Sequence, residues 1–336
     1  MTALQDALDR LAEEIAFSGV VRVDRGGRLE VAAAYGEAHR GHAIANTVDT
    51  RFAIASGSKT LTALTVVSLI EDGVLTPTTS ARSVLGGDLA LIDDAVTVEH
   101  LLAHRSGIGD YLDEDAPMDL NDYLLSVPVH ELATTEQFVV AIDGHPAKFP
   151  PDERFSYCNG GYIVLALIAE RASGTPFHDL VAARVVAPAG MVDTEFLRSD
   201  ELPGRTATGY LDVGGTWRSN VFHLPVRGNG DGGLYTTAAD VRAFWMALFA
   251  GRIVAESWVT EMVRPRSRAS PTHQYGLGFW LPGTGGAVQL EGGDSGVSFR
   301  STHDPLTDTT STVIANTTDG AWPIARLLAE SAASGR

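Results

Sequence analysis

The chain has 336 residues, with 25 lysines and arginines against 42 aspartates and glutamates, which gives a formal net charge of −17. This balance argues against nucleic acid or an anionic membrane as a partner, because both are bound through positive charge. Hydrophobic residues make up 44% of the chain and charged residues 20%, so we expect a sizeable core and exclude extensive disorder. Only Lys59 and Lys148 are lysines, so a motif that requires lysine has few possible positions.

The single cysteine, Cys158, cannot form an internal disulfide, so nothing ties the protein to an oxidising compartment. Segment 1–19 mixes acidic residues with apolar ones at helical spacing, which is typical of an amphipathic helix and not of a signal peptide. The longest apolar stretches, 61–70 and 162–168, are shorter than the roughly 18 residues that a membrane-spanning helix needs. We therefore expect a soluble, cytoplasmic protein.

The predicted elements place strands at both ends of the chain and helices between them. Two apolar runs, 19–23 and 29–35, flank a turn sequence and predict an antiparallel hairpin. Residues 59–72 predict a helix that is too apolar for the surface and ends at Gly73. After a mainly helical middle, short strands are predicted over the ranges 275–281, 286–290, 297–301 and 311–316, followed by a closing helix over 322–333.

This order of elements predicts an α/β (α+β) fold with one antiparallel sheet assembled from both ends of the chain. We expect residues 1–75 and 241–336 to form the α/β sheet domain. Residues 76–240 are expected to form a mainly helical domain inserted into it.

A Ser-x-x-Lys sequence, from Ser56 to Lys59, lies at the head of the predicted buried helix. This spacing puts the hydroxyl and the amine on one helix face, where the amine can take the hydroxyl proton if burial lowers its pKa. The helix N-terminus also favours negative charge near Ser56. An N-cap serine followed by an exposed lysine has the same spacing. The scarcity of lysine favours a role for Lys59, because an idle cation in this chain is usually an arginine.

Two further segments combine polar residues with glycines. Tyr157 and Asn159 precede an apolar helix predicted over 162–172, in a loop that can direct both side chains into a cleft. The stretch 290–296 follows a strand, and its glycines allow a ligand to approach the backbone closely. Taken alone, each segment also fits a structural turn.

Together these motifs resemble the penicillin-recognising serine hydrolases: class C β-lactamases, D-alanyl-D-alanine carboxypeptidases, and related esterases and D-aminopeptidases. Ser-x-x-Lys is a catalytic signature of such enzymes. Further segments match in the family's order, namely 49–52, 101–107, 191–194, 232–240 and 275–278. The resemblance implies a β-lactamase/transpeptidase-like fold with the active site between the sheet and the helical insertion.

The resemblance also implies the roles of the site residues. Ser56 would be the acylated nucleophile, and Lys59 and Tyr157 would share the proton transfers. Asn159 would hydrogen-bond both Lys59 and the substrate. The backbone N–H groups of Ser56 and Asp294 would form the oxyanion hole, and no metal or cofactor would be needed.

The third motif departs from the family, which has lysine or histidine where this chain has Glu291. A carboxylate facing the acyl site would repel a carboxylate on the substrate and raise the pKa of Lys59. Either Glu291 points away, or the substrate is neutral or cationic at that position. Glu291 is the residue expected to set substrate choice, and Gly292, Gly293 and Asp294 are expected to contact the substrate with it along the same strand.

The segment that follows His104 carries six acidic residues between positions 110 and 122. In the family this stretch runs near the mouth of the cleft, where an acidic entrance would suit a substrate that bears an amine. A solvated acidic surface explains the same residues. His104 itself matches a structural segment of the family, so we expect it in the core.

We therefore expect a serine hydrolase that acts through an acyl-enzyme on a small ester, amide or short peptide, as a carboxylesterase or a D-aminopeptidase-like amidase. A D,D-carboxypeptidase or a class C-type β-lactamase is the alternative activity. A non-catalytic, penicillin-binding-like binding or sensor protein is the alternative of another class. Neither a membrane nor a nucleic acid is an expected partner.

Overall fold

The computed structural model describes residues 3–115, 119, 121–283 and 285–334. The α-helices of this part of the chain are α1 (Ala3–Glu14), α2 (Lys59–Glu71), α3 (Ala81–Leu85), α4 (Val98–Leu102), α5 (Val139–Ile142), α6 (Asn159–Ser173), α7 (Phe177–Val181), α8 (Ala187–Ala189), α9 (Ala238–Phe249), α10 (Glu256–Met262) and α11 (Ala321–Ser334). Its strands are β1 (Gly19–Arg25), β2 (Arg28–Tyr35), β3 (Glu37–His39), β4 (Ile44–Ala45), β5 (Phe52–Ala53), β6 (Tyr210–Val213), β7 (Thr216–Ser219), β8 (Tyr235–Thr236), β9 (Ser267–Arg268), β10 (His273–Tyr275), β11 (Trp280–Pro282), β12 (Val288–Asp294), β13 (Val297–Asp304) and β14 (Thr309–Ala315).

The main sheet joins the two ends of the chain. In the described residues it has eight strands in the order β2-β1-β14-β13-β12-β11-β10-β9, and neighbouring strands are antiparallel. The pairing of β1 with β14 runs from Gly19 opposite Ala315 to Arg25 opposite Thr309. The predicted sheet from both termini is therefore confirmed. The division into a sheet domain and an inserted helical domain stays a prediction.

The two faces of this sheet bury two different cores. Side chains alternate along β1, so Val20 packs into the larger core with α2 and α6, whereas Val21 packs with α1 and α11. In β14, Ile314 and Val313 divide between the same two cores. The face that carries the larger core is the one turned towards the head of α2, where the candidate site lies.

The helices α2 and α6 are apolar around most of their circumference, and they pack against each other. In α2 the residues from Lys59 to Leu69 are buried, as the sequence predicts. Such helices belong in a protein interior and not on an amphipathic surface. In the described part of the chain, no helix is both long and apolar enough to cross a membrane.

One predicted strand, 275–281, is divided in two. The structure has β10 and β11 instead, with a tight turn between them in which the Gly276 N–H donates to Phe279 O at 2.9 Å. Gly278 in this turn has a φ of 84°, which a β-branched strand residue would not tolerate. The apolar pattern of the segment concealed this turn.

Strand β12 crosses the head of α2 in close contact. A Cβ atom added at Gly292 would lie 2.1 Å from Ile54 O and 2.9 Å from Ser56 N. Both neighbours are backbone atoms, which cannot rotate out of the way. This position therefore requires glycine because the strand and the turn before α2 touch there.

We predict that Gly292→Ala lowers the free energy of unfolding by about 1–3 kcal/mol, because the added methyl overpacks a rigid contact. Urea unfolding of the two proteins measures the difference. Gly87→Ala is the matched control, since a Cβ there meets nothing within 4 Å. Equal unfolding midpoints for the Gly292 variant and the parent protein would contradict the prediction.

Candidate active site

Ser56 lies in the 3-10 turn Ala55–Ser58, directly before α2. Two hydrogen bonds hold this turn: Gly57 N–H donates to Ile54 O at 2.9 Å, and Ser58 Oγ donates to Ala55 O at 2.8 Å. Ala55 has a φ of 45°, in the left-handed region that non-glycine residues rarely adopt. Such strain persists only where the surrounding structure enforces it, and it is concentrated at functional sites. The turn thus presents the Ser56 side chain in a fixed position.

Lys59 begins α2 and is buried, with 2% of its surface exposed. Its Nζ lies 2.8 Å from Ser56 Oγ, 2.7 Å from Asn159 Oδ1 and 2.6 Å from the backbone oxygen of Asp231. The amide and backbone oxygens can only accept hydrogen bonds, so in the neutral amine they take its two N–H groups. The remaining lone pair then faces the Ser56 hydroxyl. The geometry equips Lys59 to remove the serine proton.

Burial lowers the pKa of Lys59 below its ordinary value, because the protein interior disfavours the ammonium form. Nearby carboxylates oppose this effect, in decreasing order Asp231, Glu114, Asp110 and Asp294. The net direction is downward, which favours the neutral amine that a base requires.

Tyr157 completes the contact around the serine. Its hydroxyl interacts with the Ser56 side chain, and its ring lies 4.9 Å from Lys59 Nζ. The ring stacks on Trp280 at a centroid distance of 5.8 Å and packs on His104 at 4.3 Å. Burial raises the pKa of Tyr157 well above its ordinary value, so the phenol keeps its proton. It can therefore donate a proton, and Lys59 is the better base.

His104 and Cys158 hold the loop that carries Tyr157 and Asn159. His104 is 1% exposed, and its Nδ1 accepts the Cys158 N–H at 3.0 Å. Cys158 caps α6, since its Sγ accepts the Gly161 N–H at 3.3 Å. The expected core position of His104 is confirmed, and its ring adds support for Tyr157.

Asn159 is the first residue of α6, and its Oδ1 accepts from Lys59 as expected. The Nδ2 group donates to Leu112 O at 3.0 Å and to Glu114 Oε1 at 3.1 Å. Both of its N–H donors are thus engaged within the protein. The structure shows Asn159 positioning Lys59, and the contact with substrate stays a prediction.

The acidic segment after His104 has a mixed role. Asp110 is buried, and its carboxylate accepts the first two N–H groups of α6 at 2.6 and 2.8 Å. Burial raises the pKa of Asp110 to about 6. Lys148, the second lysine of the chain, pairs with Asp113 and Asp115. The segment is therefore neither a bare solvated surface nor a uniformly free acidic entrance.

The register of β12 decides which of its N–H groups is free. Its end pairs with β13 through Asp294 and Val297, which close a two-residue turn. Such a pair exchanges backbone hydrogen bonds, and these bonds alternate along an antiparallel ladder. The N–H groups of Gly292 and Asp294 therefore point to β13, and that of Gly293 points to the other edge.

On that other edge, β12 pairs with β11. Among the described residues, this pairing consists of Gln289 opposite Trp280. Gly293 lies four residues beyond this pair, so its N–H faces the open side of the strand next to the Gly292–Ser56 contact. The expectation that Asp294 supplies the oxyanion-hole N–H is wrong, because that group is committed to the ladder. Gly293 takes its place as the candidate donor.

Glu291 lies on the opposite face of β12 from Gly292, since side chains alternate along a strand. Its Oε2 accepts from Arg300 Nε at 2.6 Å, directly across the ladder, and from Gln289 Nε2 at 2.9 Å. The Arg300 guanidinium in turn lies 5.4 Å from the ring centre of Trp322 in α11. The expectation that Glu291 contacts substrate and controls the charge of the acyl site is wrong: its carboxylate points away and is paired.

Asp231 is the site residue that motif reasoning missed. Its backbone oxygen accepts from Lys59, and its carboxylate accepts from the Tyr111 hydroxyl. Burial raises the pKa of Asp231, and burial with repulsion by Asp231 raises the pKa of Asp294 to about 7. The signal in the sequence was the glycine-rich run 228–233, which overlaps the start of the matched segment 232–240.

The chain is similar to known proteins both in sequence and in fold. The family profile described as Beta-lactamase matches residues 4–333. Penicillin-binding protein 4* of Bacillus subtilis (strain 168) is 29% identical over 317 residues, which cover 88% of this chain and 67% of that protein. D-aminopeptidase of Brucella anthropi is 26% identical over 285 residues, 80% of this chain and 49% of that protein. Esterase EstB of Burkholderia gladioli is 30% identical over 217 residues, 60% and 52% respectively.

The chain spans about half to two thirds of the length of these curated relatives. Among solved structures, the penicillin binding protein from Bacillus halodurans has a TM-score of 0.91 and 34% identity, covering 97% of this chain and 99% of that one. D-amino acid amidase from Ochrobactrum anthropi SV3, with 24% identity and a TM-score of 0.79, covers 100% of both chains and shows the shared fold alone. The chain therefore belongs to the Beta-lactamase family, and it is a serine hydrolase with the β-lactamase/transpeptidase fold.

Proposed function

We propose that this protein hydrolyses small esters or amides through a covalent acyl-enzyme on Ser56. The observation that carries the proposal is the position of Lys59 Nζ, 2.8 Å from Ser56 Oγ, with its other contacts made to two oxygens that only accept. A buried amine of lowered pKa that touches a serine hydroxyl is a general base in place. Relatives named as an esterase and a D-aminopeptidase support this class of substrate.

In the acylation step, Lys59 accepts the hydroxyl proton while Ser56 Oγ bonds to the carbonyl carbon of the substrate. The N–H groups of Ser56 and Gly293 bind the oxyanion, and such donors each lower a barrier by about 3 to 4 kcal/mol. Collapse of this intermediate expels the alcohol or amine, which takes a proton from Tyr157, and the Lys59 ammonium returns one to Tyr157. Water then attacks the acyl-enzyme with Lys59 as base, which releases the acid and restores Ser56.

The charge of the cleft favours a neutral or cationic substrate over an anionic one. Asp231 and Asp294 both act on the amine of Lys59, and burial strengthens their field. A carboxylate on a penicillin or a peptide C-terminus would be repelled there. Glu291 takes no part in this repulsion, because its carboxylate is paired with Arg300. D,D-carboxypeptidase and β-lactamase activity are therefore the second candidates. The contact between base and nucleophile disfavours a non-catalytic binding protein.

We predict that small neutral p-nitrophenyl esters are hydrolysed, whereas penicillins and cephalosporins are poor substrates. The reason is the repulsion between their carboxylate and the two acids of the cleft. Initial rates with p-nitrophenyl butyrate and nitrocefin measure the difference, and we expect kcat/KM for the ester to be at least tenfold higher. Efficient hydrolysis of nitrocefin would contradict the prediction.

We predict that Ser56→Ala abolishes ester hydrolysis and labelling by a fluorophosphonate probe, as read by intact mass.

Lys59→Arg should lower kcat by about 10² to 10⁴-fold, because arginine keeps its proton and cannot act as the base. Lys148→Arg is the matched control and should retain activity, since arginine can keep the ion pairs with Asp113 and Asp115. Near-normal turnover by the Lys59 variant would mean that another group is the base.

The pH dependence of acylation provides a further prediction. The rate should rise with pH as Lys59 loses its proton, with a midpoint below the ordinary lysine pKa because burial lowers it. A carboxylate stabilises the ammonium, so Asp231→Asn should move the midpoint to lower pH, and Asp294→Asn should move it less. Stopped-flow rates with a neutral ester give the midpoints. A shift to higher pH in either variant would contradict this account of the Lys59 pKa.

A further inference from the structure

A cavity of about 60 Å³ lies beside the turn that carries Ser56. Its backbone lining includes Gly232, where an added Cβ would lie 3.8 Å from Ser56 N. A cavity of about 10–15 Å³ is enough to hold one water, so this one has room for a small polar group and a short side chain. One wall is apolar, formed by Leu197, Val221, Leu224, Pro225 and Val226.

The other wall is acidic. Asp231 and Asp294 line it, and no lysine or arginine in the described part of the chain lines this cavity. The carboxylate of Asp231 accepts from the Tyr111 phenol, and that of Asp294 accepts from the Ser295 backbone N–H at 2.8 Å. Both partners are neutral, so they satisfy hydrogen bonds without cancelling charge. Burial, with a smaller contribution from repulsion by Asp231, raises the pKa of Asp294 to about 7.

A second observation indicates that a polar ligand completes this cavity. Asn229 lines it and is 1% exposed. Its Oδ1 accepts the Gly230 N–H at 2.6 Å, whereas its Nδ2 has no partner among the described residues. A buried donor without a partner costs free energy unless a ligand or water supplies an acceptor. The cavity thus offers one unused donor beside two carboxylates.

We propose that this cavity binds the free ammonium group of an aminoacyl substrate through the carboxylates of Asp231 and Asp294, with the apolar wall holding a small side chain. The inference rests on the proposed function, because it assigns the acyl part of the substrate that Ser56 attacks. The substrate class is then a small α-amino ester or amide with an unblocked amino group.

The position of Tyr157 argues for the acyl side of the substrate. Tyr157 delivers the proton to the leaving group, and its ring packs with His104 and Trp280. None of these three residues lines the cavity. The leaving group therefore departs on the side of Tyr157, His104 and Trp280. The cavity beside Asp231 is then available to the acyl group.

The test compares D- and L-alanine methyl ester with methyl isobutyrate, in which a methyl group replaces the ammonium. Hydrolysis is followed at neutral pH by proton release in the parent protein, Asp231→Asn and Asp294→Asn. We expect the ratio of kcat/KM, alanine ester over isobutyrate, to fall at least tenfold in both variants. The ratio cancels the intrinsic reactivity of each ester and the fraction of folded protein. Asp179→Asn, which removes an exposed carboxylate, is the matched control and should keep the parent ratio.

Labelling of Ser56 by a fluorophosphonate is measured on the same preparations. If Ser56 is labelled but the ratio stays within twofold of the parent value in both variants, the ammonium site is wrong and the proposed function stands. An equal fall of the ratio in Asp179→Asn would also overturn the site, because an exposed carboxylate that does not line the cavity would then do as much. If Ser56 in the parent protein is not labelled and no ester is hydrolysed, the proposed function fails, and the ammonium site fails with it.

Discussion

A buried amine that must stay largely unprotonated is the constraint on which the site depends. Lys59 has almost no contact with solvent, so its ammonium form loses hydration that its neighbours only partly replace. The oxygens of Asn159 and Asp231 orient the amine without carrying charge on the accepting atoms. If either oxygen were a carboxylate, the ammonium would be stabilised and the base lost. Neutral acceptors around a buried lysine are therefore the feature that makes Ser56 reactive.

The elements that surround Lys59 and Ser56 come from distant parts of the chain, and the packing of the helices and the sheet brings them together. Asn159 begins α6, which packs on α2 through a long apolar contact. Strand β12 reaches the head of α2 only because Gly292 has no side chain. The close approach also brings the backbone of Gly293 beside the serine. A larger residue at 292 would separate the nucleophile from its oxyanion donor, so core packing and catalysis share one contact.

The sequence predicted most of this arrangement where local pattern determines structure. The hairpin at residues 19–35, the buried helix after Ser56 and the last three predicted strands follow from periodicity and turn residues, and the structure confirms them. The pairing of Lys59 with Ser56 follows from helical spacing. What failed depended on register: a shift of one residue along β12 reverses which side chain faces the cleft and which N–H is free. Glu291 and Asp294 were misassigned for that reason, and no short motif encodes strand register.

Asp231 was missed for a different reason, since its contact with Lys59 uses a backbone oxygen that any residue possesses. Its side chain nevertheless acts on the Lys59 amine and also lines the cavity beside Ser56. The carboxylates of Asp231 and Asp294 raise the pKa of Lys59 against the larger effect of burial. An ammonium group bound between these carboxylates would offset their field at the amine, and the pKa of Lys59 would fall further. The substrate that fits the acidic wall is thus also the one that favours the neutral base, which links recognition of the amino group to activation of Ser56.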